Sequence, residues 1–140
     1  MNFLLDTNGV SEWVKTLPDP GLATWLATVD EDRVYLSVVT LAELRHGVER
    51  LADGRRRERL EVWLNQELAD RFGGRVLVVD GAIADAWGRL VARAEAAGQR
   101  LSVMDGFIAA TAHIHELTLV TRNVKDFATT GVSVLNPWTG

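Results

Sequence analysis

The feature that most restricts how this chain can fold is a repeated switch between two hydrophobic periods. Short apolar runs, FLL at 3–5, VYLSVV at 34–39, RVLVV at 75–79 and LTLVT at 117–121, stand between longer segments whose apolar residues recur every three or four positions. The runs are largely β-branched and lack the polar alternation of a half-exposed strand, so they suit strands covered on both faces of a parallel sheet. A short fifth strand is expected at 132–135, ahead of Pro137. Each crossover is long enough for a right-handed βαβ unit, and no linker or repeat divides the 140 residues. The pattern predicts one three-layer α/β/α domain over 1–140, built on a central, mainly parallel sheet of four to five strands.

Residues 7–14 can form a short helix that ends near Leu17, Pro18, Asp19, Pro20 and Gly21. Leu22, Trp25, Leu26 and Val29 mark a second helix, with Asp19 as its N-cap and Pro20 at its first position. Thr40 is placed to cap a third, with the stripe Leu41, Leu44, Val48 and Leu51. Gly47 lies inside that helix at a cost of about 1 kcal/mol relative to Ala, which points to close packing or a partner there. After the break at Asp53 and Gly54, the residues Leu60, Trp63, Leu64, Leu68 and Phe72 trace a fourth helix. It opens with Arg55, Arg56, Arg57 and Arg59, four cations that oppose the helix dipole and form either a solvated face or a nucleic-acid contact. Ile83, Trp87, Leu90, Val91 and Ala94 define a long helix over 80–97 that Gly98 stops. Ser102 opens a last helix, with Met104, Phe107, Ile108, Thr111 and Ile114 facing inward.

Composition narrows the function. With 19 acidic and 15 basic residues the net charge is −4, which speaks against a general polyanion binder but not against an enzyme that reaches a phosphodiester through metal ions. The absence of cysteine excludes disulfides and thiolate metal sites. No basic segment leads into an apolar one at the N-terminus, and no apolar run approaches the roughly 18 residues of a membrane span. A cytoplasmic protein is therefore expected.

The chemistry rests with acids at the element ends. Asp6 ends the first strand, Glu43 follows the second, Asp126 follows the fourth, and Asp105 opens the helix that feeds the fourth. Each has an ordinary structural role: Asp6 as an N-cap, Glu43 and Asp105 as the acids of capping boxes begun by Thr40 and Ser102. Together they suggest more, because the carboxyl edge of a parallel sheet is where ligands bind. Three or four carboxylates gathered there repel one another unless a divalent cation lies among them. Ligands that are all oxygen select a hard ion such as Mg²⁺ or Mn²⁺, whose usual work is phosphoryl chemistry.

On these residues the chain resembles the PIN-domain ribonucleases, and among them the toxin halves of VapBC-type (type II) toxin–antitoxin pairs. The resemblance runs nearly end to end, through LLDTN at 4–8 with Ser11 and Glu12, SVVTLAELRHGVERL at 37–51, VMDGFIAATA at 103–112 and LTLVTRNVKDF at 117–127. It implies a PIN-like fold and a metal-dependent endoribonuclease that cuts structured or messenger RNA. Asp6 and Asp105 would be the main metal ligands, Glu43 would complete the cluster, and Thr7 would support it through its hydroxyl. Asn123 falls where many relatives carry a fourth acid and Asp126 lies just beyond it, so either one serves the site. Gly9 and Gly106 stand where larger apolar residues are usual, which implies looser packing beside the two aspartates. The implied mechanism uses one or two Mg²⁺ or Mn²⁺ ions and a water that attacks the phosphodiester in line. Glu43 either orients or deprotonates that water or binds metal. A homodimer is also implied, as is a heterotetramer or larger assembly with a small antitoxin whose tail occupies an apolar groove and brings a basic residue to the acids. Trp13, Leu17 and Trp25 belong either to that groove or to the chain's own core.

Two alternatives compete. DTNGV at 6–10 weakly matches the DxDG start of haloacid-dehalogenase-type phosphatases, with Asp6 as a covalent nucleophile, but Asn8 replaces the second acid and no later acidic pair matches. A catalytically inactive PIN-fold protein would keep a partner-binding surface without catalysis, and the retained acids speak against it.

Overall fold

The computed structural model describes residues 1–139. Five parallel strands, β1 (Phe3–Leu5), β2 (Val34–Ser37), β3 (Val76–Leu77), β4 (Thr118–Val120) and β5 (Val134–Leu135), form a sheet in the order β3-β2-β1-β4-β5. Successive side chains on a strand point to opposite faces. Leu4 and Leu119 accordingly enter one core, whereas Leu5, Val34, Leu36 and Val120 enter another. This double burial explains why the strands read as unbroken apolar runs. The second core is covered by α1 (Thr7–Trp13), α2 (Pro20–Thr28), α3 (Val38–Glu49), α4 (Arg55–Val62) and α5 (Leu68–Phe72). The first is covered by α6 (Gly81–Ala96) and α7 (Val103–Ile114), giving the expected three layers. Among the described residues no helix is long and apolar enough to cross a membrane.

The expected caps at Asp19 and Ser102 are present, and Asp80 caps α6 as well, each side chain accepting a backbone N–H three residues on. Gly98 adopts φ +77° just beyond α6, a left-handed turn that needs no Cβ. Other boundaries differ from expectation. β2 stops at Ser37, whose hydroxyl accepts the Val39 N–H at 3.0 Å and caps α3. Val38 and Val39 are helical despite their β-branched side chains, because a cap and burial of Val39 in the first core outweigh a weak propensity. Thr40 therefore lies inside α3, fully buried, and caps nothing.

The fourth expected helix is interrupted by a π-helical turn at Trp63–Glu67. A strict four-residue stripe drifts around an α-helix of 3.6 residues per turn, and the wider π turn brings Leu64, Leu68 and Phe72 back onto the core. On α7, Met104 and Ile114 are exposed, contrary to expectation, while Ile108 and Thr111 are buried and Phe107 partly so. The rest of the buried face is Gly106, Ala109, Ala110 and Ala112. Small residues there let α7 lie close to its neighbours, an effect that a search for large apolar side chains does not detect.

β1 is central. The chain leaves it toward β2 on one side and returns through β4 on the other, so a crevice opens at the carboxyl ends of β1 and β4.

Candidate active site

Asp6 stands where β1 gives way to α1, with only 7% of its surface exposed. Its Oδ1 accepts the Gly9 N–H at 2.8 Å, so Asp6 is indeed the N-cap of α1. Its Oδ2 accepts the Thr121 hydroxyl at 2.6 Å. The pairing of Leu5 with Val120 places Thr121 level with Asp6 one residue past β4, and the Asn123 N–H donates to the Thr121 oxygen at 3.1 Å. Sequence reasoning missed Thr121. Its only signal was a small hydroxyl at a strand end, which gains meaning once β4 is known to lie beside β1.

Glu43 lies on the second turn of α3, and its Oε1 accepts the Thr7 hydroxyl at 2.6 Å. The expected capping box from Thr40 does not form, since Thr40 is helical and its hydroxyl lies 3.3 Å from that of Thr7. Thr7 thus places its hydroxyl on the Glu43 carboxylate. Asp105 lies in the first turn of α7, where its N–H donates to the Ser102 hydroxyl at 3.1 Å.

These elements bring Asp6, Thr7, Glu43, Asp105 and Asn123 to the wall of one cavity of about 90 Å³, closed behind by Ile108 and Phe127. Asp126 sits in the 3₁₀ turn Val124–Phe127 and does not line it. Its charge nevertheless reaches Asp105. Burial holds the Asp6 carboxyl above its ordinary pKa, opposed by the Thr121 and Gly9 hydrogen bonds and reinforced by Asp105 and Glu43. Asp105 is likewise raised, first by burial and then by the charges of Asp126 and Glu43, against a hydrogen bond with Ser102. Two acids on one cavity wall, each with its charged form disfavoured first by burial and then by neighbouring carboxylates, describe a site that lacks positive charge.

Among the described residues no three acidic or histidine side chains converge closely enough, as they stand, to grip one ion. The donor chemistry does fit a hard cation: the acids are carboxylates, those of Asp6 and Glu43 are anchored by hydroxyls, and among the described residues none donates to Oε2 of Glu43.

A family model for the PIN domain matches residues 3–132. The chain belongs to the PIN domain family. This PIN domain is 38% identical to toxin FitB of Neisseria gonorrhoeae over 135 residues, 96% of this chain and 97% of that protein. It is 36% identical to VapC ribonuclease Y4jK of Sinorhizobium fredii, over 96% of both. Among solved structures, that of FitAcB from Neisseria gonorrhoeae superposes with a TM-score of 0.92 at 38% identity, covering 99% of each chain.

Family membership removes the basis of the phosphatase alternative, and both Asp6 oxygens are already engaged in hydrogen bonds. The looser packing expected of this PIN domain beside its aspartates is not found. A Cβ on Gly9 would meet Leu5 Cδ1 at 2.3 Å, and one on Gly106 would meet Trp87 Nε1 at 2.6 Å, so neighbouring side chains have filled the space. Of the three candidates for an apolar groove, Trp13 packs edge-on against Phe72 and Trp25 against Phe3. Leu17 alone is open, at 88% exposure.

Proposed function

We propose that this chain is the toxin half of a toxin–antitoxin pair, an endoribonuclease that hydrolyses RNA with Mg²⁺ or Mn²⁺ held by Asp6, Asp105 and Glu43. The observation that carries this reading is the meeting of three carboxylates from three separate elements in one cavity at the carboxyl edge of the sheet. The toxin and ribonuclease names of relatives that match nearly end to end support RNA as the substrate and a small antitoxin as the inhibitor. In this reading the protein works in the cytoplasm, as a homodimer or a larger assembly with its antitoxin.

A divalent ion, when bound, supplies positive charge to the phosphoryl oxygens and acidifies a water for in-line attack. The protein's own part is positioning. Thr121 and the Gly9 N–H fix both oxygens of Asp6, so that carboxylate presents its remaining lone pairs to the cavity without reorganisation. Thr7 fixes Oε1 of Glu43 and leaves Oε2 to orient or deprotonate the water. Asn123, which lines the cavity, takes a polar contact with the substrate or the water, and Asp126 adds negative charge behind Asp105.

Purified protein freed of any partner is expected to cleave RNA in Mg²⁺ or Mn²⁺, to stop in chelator and to be inactivated by Asp105→Asn. Undiminished cleavage in excess chelator would overturn the metal assignment. Failure of the folded, metal-supplied protein to cut any of several RNAs would overturn the nuclease reading. Expression of the chain alone should also slow growth, and this effect should disappear with Asp6→Asn.

A further inference from the structure

Two open cavities flank the acid site. One, of about 450 Å³, shares Thr7 and Glu43 with it and has Arg56 and Arg59 on its wall. The other, of about 150 Å³, shares Asn8 and Asn123 with it and has Arg122 on its wall. Among the described residues none of these three arginines makes an ion pair or a side-chain hydrogen bond. The contrast with Arg57 is informative. Arg57 lies between them in sequence, yet its guanidinium bonds Glu49, Glu61 and the Leu51 carbonyl and approaches Asp53. The arginine run thus splits into one structural residue and an i, i+3 pair that shares the cavity face. Lys15 lines both cavities but is already paired with Glu12 at 2.6 Å.

We propose that Arg56 and Arg59 on one side and Arg122 on the other form a two-sided phosphate track that draws a single RNA strand across the acids. This rests on the nuclease reading above and adds how the substrate is held. Arg56 is an unpaired cation in the first turn of α4, where it opposes the helix dipole, so its placement is unfavourable without an anion to receive it. A phosphodiester strand carries one charge per nucleotide and meets cations on both sides of a cut, so it offsets the repulsion from the acids at two places. Cations on both sides also mean that the strand continues past the cut in both directions, which suits internal cleavage rather than trimming from an end. Gly47 keeps the larger cavity open, since a Cβ there meets no atom within 4 Å.

The test measures binding of a single-stranded RNA oligonucleotide by fluorescence anisotropy over a salt series, in an Asp6→Asn background that prevents cleavage. Adding Arg56→Gln and Arg59→Gln should weaken binding about tenfold and reduce the salt slope by roughly 0.7 for each phosphate no longer neutralised. Arg122→Gln should do the same on a smaller scale, and the Arg56→Lys, Arg59→Lys pair should retain most of the affinity. As a control, Arg33→Gln with Arg89→Gln removes the same charge from cations that pair with Asp30 and Asp85 and line none of these cavities. Its effect should stay below about twofold. Equal losses in control and track pairs would reduce the effect to net charge and overturn the proposal. Unchanged RNA binding in folded track variants would overturn the track and leave the nuclease reading standing, whereas no RNA binding by the Asp6→Asn parent would overturn both. Loss of antitoxin binding alone, with RNA binding intact, would assign the arginines to a protein partner and overturn the track as well. Should the glutamine pair melt early, the single substitution Arg59→Glu carries the same test.

Discussion

The two walls of the acid cavity are built differently. On the Asp105 side, α6 and α7 meet through small residues, and the Trp87 indole is seated over Gly106, stacked on Phe107 and donating to the Val103 carbonyl at 3.1 Å. On the Glu43 side, α3 and α4 enclose an open cavity, Gly47 faces empty space, and a π turn interrupts the helical run that follows. The floor between them is Asp6, fixed by sheet register. Asp105 is thus delivered by packing with little freedom, whereas Glu43 is held by one hydroxyl on a wall that leaves room for a substrate. One side of the site therefore sets geometry and the other admits the ligand.

The largest expected effect removes the floor. Asp6→Asn keeps an oxygen that can accept the Gly9 N–H, so the fold should persist while RNA cleavage falls at least about a thousandfold, roughly 4 kcal/mol of transition-state stabilisation. Removing only its support, Thr121→Val should cost about 10–100-fold in activity and Thr121→Ser much less. Wild-type activity in Thr121→Val would show that register alone holds Asp6. On the packed wall, Gly106→Ala must displace Trp87, and denaturant melts should show a destabilisation of about 1–3 kcal/mol. On the open wall, Gly47→Ala should raise stability by about 0.5–1 kcal/mol, since it adds helix propensity and meets nothing. A destabilising Gly47→Ala, or a neutral Gly106→Ala, would erase the contrast between the walls.

Much of this was legible in the chain. The caps at Asp19 and Ser102 and the four runs with no polar alternation determine the elements and the parallel sheet, because each acts through neighbours in sequence. Asp6, Glu43 and Asp105 could be proposed for one edge because strand ends in such a sheet share it. What escaped depends on distant neighbours. Thr121 matters only because β4 pairs with β1, and Met104 and Ile114 face outward because α7 packs through alanine and glycine. Ser37 rather than Thr40 caps α3, since two valines that look like strand belong to the helix. The arginine run was visible, but its division into a paired Arg57 and an unpaired Arg56 and Arg59 required the fold.

A site of acids lacking positive charge should reveal itself in the stability of Asp105→Asn. Asp105 is raised above its ordinary 3.8 in the folded state. Its stabilising contribution is therefore fully present below that value, where both states hold the proton, and is lost as pH rises through the folded pKa. Asn carries no such charge. In chelator at pH 7 the variant should be more stable than wild type, and the gap should close as pH falls toward about 4. Mn²⁺ should reverse the order, since an ion bound only to the folded state adds about 2.7 kcal/mol at a hundredfold excess over its dissociation constant and the variant is short of one ligand. Denaturant melts of both proteins, in chelator and in Mn²⁺, provide the comparison. A variant weaker than wild type by the same margin in both conditions, about the 0.3–1 kcal/mol that a carboxylate gains from a helix dipole, would return Asp105 to a helix cap and remove it from a metal site.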